Sequence, residues 1–145
     1  MRTVQKIKRI QLDINQNYES VLFGIVSSEP DYKLSLALNK KFGISLKSIS
    51  PVTLQENNSE LTFSRFSDCS GSPDLIYDLI SNRTGKNFLL KKLRNIDYIF
   101  QIFDSGNDIN STKIITALRE IDCITAVFNI DLKTIKDKCL QYLTH

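Results

Sequence analysis

Histidine is nearly absent from this chain of 145 residues: the only one is the last residue, His145. Imidazole general-base catalysis, in Ser-His-Asp or Cys-His arrangements, therefore lacks its central group, and so do zinc sites built on paired histidines. Cysteine is sparse and unpatterned. Cys69, Cys123 and Cys139 stand apart with no C-x-x-C, which argues against thiolate clusters for zinc or iron–sulfur. An odd, scattered set points to reduced thiols and a cytoplasmic setting. Cys123 and Cys139 lie among apolar residues and read as small core fillers. Long apolar runs are missing too. The longest, residues 21–26, is broken by Gly24, whereas a bilayer span needs about 20 residues. The basic start (Arg2, Lys6, Lys8, Arg9) is not followed by the apolar core of a secretory signal. No membrane partner, cofactor or metal is expected.

Hydrophobic residues make up 41% and charged residues 24%, the balance of a globular protein. The length suits one domain over residues 1–145, large enough to bury a core without disulfide or metal staples. The net charge of +3 is weak, but it is unevenly spread. Residues 2–9 carry four bases and no acid. Residues 83–94 carry Arg83, Lys86, Lys91, Lys92 and Arg94, again with no acid. Such stretches meet phosphates or acidic partners, or serve as solvated loops and protected strand edges.

Periodicity predicts the elements. Residues 9–14 alternate as a half-buried strand, and residues 21–27 form a second, hairpin-paired with it. Asp31 is placed to cap a helix over residues 32–42, closed by Gly43. Strands are expected at 46–54, 61–66, 75–81 and 96–103, with Leu61, Phe63 and Arg65 facing one way. Residues 55–59 and 82–87 read as turns, and residues 67–74 as a loop rich in Ser, Gly and Pro. Asn110 or Ser111 caps a helix carrying Ile114, Ile115, Leu118 and Ile121. A strand follows at 124–130, and Asp131 opens a C-terminal helix. Strand, helix and strand over residues 96–130 favour a right-handed βαβ unit. The expectation is an α+β sandwich: an antiparallel or mixed sheet, about three helices, and a C-terminal βαβ unit followed by a helix. Phe100, Ile102, Ile115, Leu118 and Val127 are expected in one core.

Several segments together resemble one family. Asp31-Tyr32-Lys33-Leu34 with Leu38-Asn39 resembles a D-Y-[KR]-L…L-N element. Phe63-Ser64-Arg65-Phe66 resembles an F-x-x-F strand, and residues 77–82 a Y-x-L-I-x-N segment ending in Asn82. Residues 89–98 fall where the pattern I-P-E-x-x-x-V-D-Y would lie. The chain is similar in this to the IPExxxVDY family of small cytoplasmic proteins of Bacteroidota, over residues 10–132. Leu90 stands for the isoleucine, and Ile96-Asp97-Tyr98 keeps the second half. Lys91 and Lys92 replace proline and glutamate, adding two positive charges and removing one negative. The resemblance implies a small cytoplasmic protein and brings no reaction with it.

Few residues offer chemistry. Asp97, set in an apolar strand, is either a carboxylate of raised pKa or a solvent-facing acid paired with Lys92, Arg94 or Arg65. Residues 82–86 could cradle an anion with Arg83 and Lys86 as donors, but they lack the G-x-x-x-x-G-K-[ST] spacing of a nucleotide loop. Ser70-Gly71 is no nucleophile elbow. The strand aromatics Phe63, Phe66, Tyr77, Phe88, Tyr98, Phe100 and Phe103 read as core, because the glycine-spaced RNP1 pattern of an RNA-stacking sheet is absent. The sequence favours a non-enzymatic interaction module that binds a protein, or itself. RNA or ribosome binding through residues 2–9 and 83–94 is the alternative. A small-molecule regulatory domain is a third reading.

Overall fold

The computed structural model describes residues 19–72, 75–104 and 109–131. The strand expected at 9–14, the first basic stretch, the C-terminal helix, Cys139 and His145 lie outside them. The described elements run β1 (Glu19–Val26), α1 (Asp31–Phe42), β2 (Lys47–Glu56), β3 (Ser59–Ser72), β4 (Leu75–Ser81), β5 (Arg83–Thr84), β6 (Asn87–Phe88), β7 (Tyr98–Asp104), α2 (Ser111–Arg119) and β8 (Ala126–Ile130). Six strands form one sheet in the order β2-β3-β4-β7-β1-β8, and every pairing in it is antiparallel. The short pair β5–β6 stands apart. The fold is α+β, an antiparallel sheet with two helices among the described residues.

Alternation along the strands sorts their side chains onto two faces. Phe23, Ile25, Leu79, Tyr98, Phe100, Ile102 and Val127 face the helices, where Leu34 and Leu38 of α1 and Leu118 of α2 complete a core. Leu22, Val52, Leu54, Phe63, Ile80, Ile99 and Ile130 face the other way and pack with Leu89, Leu90 and Ile96. The excursion between β4 and β7, residues 82–97, thus covers the second face. β7 is buried on both sides from Tyr98 to Ile102, as a central strand between two covers must be. The expected core holds: Phe100, Ile102, Leu118 and Val127 are buried together, with Ile115 partly buried against them.

Local chemistry explains the joints. Asn57 and Asn58, at φ 50° and 65°, make the tight two-residue turn whose twist suits a hairpin. Gly43 at φ 66° ends α1 in the left-handed conformation. Asn110 caps α2 by accepting from the Lys113 N–H at 3.1 Å, as its sequence position predicts. Asp31 does not cap α1. Pro30 holds the cap position, and Asp31 is the first helical residue, its Oδ1 accepting from the Tyr32 N–H.

β1 pairs with β7 over Glu19–Ile25 and with β8 over Leu22–Val26; the hairpin partner expected for it at 9–14 lies outside the described residues. Two sequence expectations are corrected. The βαβ unit is not two adjacent parallel strands, because β1 inserts between β7 and β8 and runs antiparallel to both. β3 continues to Ser72 through the stretch read as a loop, with an irregular register after Asp68 where it pairs β4. β2, β7 and β8 are also displaced by one or two residues from their expected bounds.

Gly24 is closely approached by the side chain of Ile96. A Cβ there would lie 2.3 Å from Ile96 Cδ1 and 2.9 Å from Cγ1, and Ile96 is itself buried in the second core. Gly24→Ala should therefore force Ile96 off its packing and destabilise the fold by about 1–3 kcal/mol, read as a lower urea midpoint. An unchanged midpoint would place Ile96 elsewhere.

Candidate functional site

Ile25, Tyr98 and Ser81 lie side by side in register. The chain therefore leaves β1 and β4 and enters β7 at one end of the sheet. Most of the residues singled out by the family resemblance gather there. Asn82 is fully buried. Its Nδ2 donates to the carbonyls of Leu93 and Ile96, each at 2.9 Å, and its Oδ1 accepts from the Leu90 N–H at 2.8 Å. Its backbone adds Asn82 N–H to the Asp97 carbonyl and Leu89 N–H to its own carbonyl. One side chain thus ties both ends of the 82–97 excursion. Leu90 and Ile96 are core residues at its two contacts with the sheet.

Asp97 precedes β7 rather than lying within it. Its Oδ2 accepts from the Ser27 N–H at 3.0 Å, and its Oδ1 pairs with Arg83 Nη2 at 3.0 Å. The partner is neither Lys92, Arg94 nor Arg65. A backbone hydrogen bond and a guanidinium ion pair commit the carboxylate to holding segments together. Tyr98 Oη donates to the Glu29 carbonyl at 2.6 Å. Burial first, then the Asp31 and Asp97 carboxylates, push its pKa up to about 12, which favours the neutral phenol that donates this bond. Ser27 Oγ donates to the Cys123 carbonyl at 2.7 Å and accepts from the Glu29 N–H. These groups wall a cleft of about 270 Å³ lined by Ser28, Glu29, Ser81, Arg83, Asp97 and Tyr98, among others.

The remaining predicted residues do not join this site. Asn39 grips the backbone of Leu46 from the end of α1, accepting from its N–H at 2.7 Å and donating to its carbonyl at 3.4 Å. Tyr32 is exposed on α1. The basic stretch is divided. Arg83 is paired with Asp97 and Lys91 with Glu56, while Lys86, Lys92 and Arg94 are exposed. Gly85 at φ 61° forms the turn of the β5–β6 hairpin, as its glycine predicts, but Arg83 is turned to Asp97.

Sequence reasoning missed Ser27, which it read as the last residue of a strand, and Ser28 and Glu29, which it read only as the break after that strand. It also missed Asp78, which is fully buried with Arg65 Nη2 at 3.4 Å and lies opposite Gln101 in register. Gln101 Nε2 donates to Ser20 Oγ. Among the described residues no three His, Cys, Asp or Glu side chains gather as a metal site would need, and no helix is long and apolar enough to cross a membrane. Cys123 is a free thiol. Compared with known protein families and with curated proteins, the chain matches none.

Proposed function

We propose that this chain is a non-enzymatic, cytoplasmic interaction module of the IPExxxVDY type, and that it docks a protein on the outer face of α1. One observation carries the reading. Leu36 is 63% exposed and Tyr32 55% exposed, and they lie one helical turn apart, so they form a contiguous apolar spot. Apolar surface on a helix that already buries Leu34 and Leu38 on its inner face is surplus to folding. Lys33 and Lys40 border the spot and are exposed. The complementary partner presents apolar side chains flanked by carboxylates. The non-enzymatic part is supported by the commitments of Asp97, Asn82 and Tyr98, each bound to backbone groups of this chain.

RNA binding through residues 83–94 is the weaker reading. Two of its five cations already have carboxylate partners, and a phosphate contact by either of these would require breaking or sharing its pair.

The test is affinity capture from native lysate with the unmodified protein and with Leu36→Glu, each with and without ribonuclease. Leu36→Glu should leave stability within about 0.5 kcal/mol, as a surface change does. Proteins retained by the unmodified chain, resistant to ribonuclease and lost with Leu36→Glu, are expected. Retention that ribonuclease abolishes, or that Leu36→Glu leaves intact, overturns the reading.

A further inference from the structure

The cleft at the end of the sheet carries a second, independent inference. We infer that it binds a small zwitterion of the free α-amino acid class, with the ligand carboxylate on Arg83 and its ammonium between Asp97 and Glu29.

The charges come first. Arg83 gives one nitrogen to Asp97, and a guanidinium has five N–H donors in a planar fork. Its side chain is 51% exposed, so donors remain for a second oxyanion. Asp97 is engaged through each oxygen once, and a carboxylate oxygen accepts twice. Among the described residues, Glu29 meets a cation only at 4.0 Å, from exposed Lys33. A plain anion in this cleft would face two carboxylates, and a plain cation would face the guanidinium. A molecule carrying one charge of each sign, a few ångströms apart, meets both demands, and Arg–carboxylate recognition is the geometry the fork suits.

The neutral groups agree with this. The hydroxyl-bearing residues Ser28 and Ser81 line the cleft. Each is a donor and an acceptor for a ligand's polar atoms. The walls are fixed in advance: the Ser27 N–H holds Asp97, Tyr98 holds the Glu29 carbonyl, and Ser27 Oγ is pinned to Cys123. Preorganised donors and acceptors lower the ordering cost of binding. The volume of about 270 Å³ falls just under the roughly 300–1,000 Å³ of drug-sized sites. It has room for a free amino acid and not for a dinucleotide.

The experiment is an amide chemical-shift titration of the ¹⁵N-labelled chain with each of the twenty L-amino acids, up to about 10 mM, since a small polar ligand with few contacts binds near the millimolar end of the affinity scale. Saturable shifts centred on Ser27, Ser28, Ser81 and Arg83 are expected for at least one of them. The N-acetyl and methyl-ester forms of that amino acid each lack one charge, and each should bind about tenfold more weakly. Arg83→Met should weaken binding by a similar factor. Ser81→Ala, a smaller change that keeps the Arg83–Asp97 pair, should weaken it as well and guards against a folding defect. Lys86→Met should change nothing. Three results overturn the inference: no saturable shift with any amino acid, blocked forms that bind as well as the parent, or undiminished binding by both Arg83→Met and Ser81→Ala. The docking face on α1 is read in a different assay with a different variant, so either proposal can fail alone.

Discussion

Phe100→Ala should lower the free energy of unfolding by about 3–5 kcal/mol, the cost of emptying a fully enclosed aromatic site. Phe100 has no exposed surface and sits in the central strand between two aromatic neighbours. Its ring centroid is 5.6 Å from that of Phe42 and 6.0 Å from that of Tyr77, the latter nearly parallel. Phe42 is the last residue of α1, so the ring is also a seat for that helix. Truncation removes the transfer energy of the ring, leaves a cavity and loosens the α1 contact. Total stability for a domain of this size is about 5–15 kcal/mol, so the loss is a large share of it. Urea unfolding followed by far-UV circular dichroism reads the effect, and Phe100→Leu should lose less because it fills part of the volume. A midpoint unchanged by Phe100→Ala would mean that the face of β7 carrying Tyr98 and Ile102 is not the helix-covered one.

That core was legible because each of its elements carries its own signal. β4 spans Leu75–Ser81 as its apolar run predicts, and α1 differs from expectation by one residue. The α2 cap and the Asn57-Asn58 turn follow from residue types with a single strong preference. Partnership was not legible. A short apolar run makes residues 21–27 a strand, but β1 takes its neighbours from β7 and β8, some 70 to 110 positions away. Nothing local records such a choice.

The same gap explains the polar residues. Asp78 lies between Tyr77 and Leu79 in a strand. Alternation alone would turn it to solvent, yet the second face of the sheet is covered as well, so it is buried beside Arg65. A buried ion pair is costly to desolvate and weak evidence for stability, and no sequence rule announces it. Asp97 takes Arg83 rather than the nearer Lys92 or Arg94 because the Asn82 N–H bond to the Asp97 carbonyl brings residues 82–83 alongside it. The loop determines the pair, and the loop is itself held by a residue that read as a turn former.

That residue supports the last prediction. Asn82→Ala should destabilise the fold by at least about 3 kcal/mol. The substitution strands three backbone groups, the Leu90 N–H and the carbonyls of Leu93 and Ile96. Each buried unsatisfied group costs about 1–3 kcal/mol. Water reaching the exposed side of the excursion keeps the total near the low end of that sum. Asn82→Asp should not rescue the loss. A carboxylate still accepts from Leu90, but its second oxygen faces two carbonyl oxygens where the amide donated. Arg83→Ala gives the contrast. Its pair with Asp97 is half exposed, and such pairs contribute about 0–1 kcal/mol. Unfolding midpoints of the three variants separate the two cases, and hydrogen exchange locates the cause. The amides of Leu89 and Leu90, which bond to Asn82, should exchange faster in Asn82→Ala while those of β7 change only with global stability. If Arg83→Ala costs as much as Asn82→Ala, the ion pair and not the buried amide holds the excursion against the sheet.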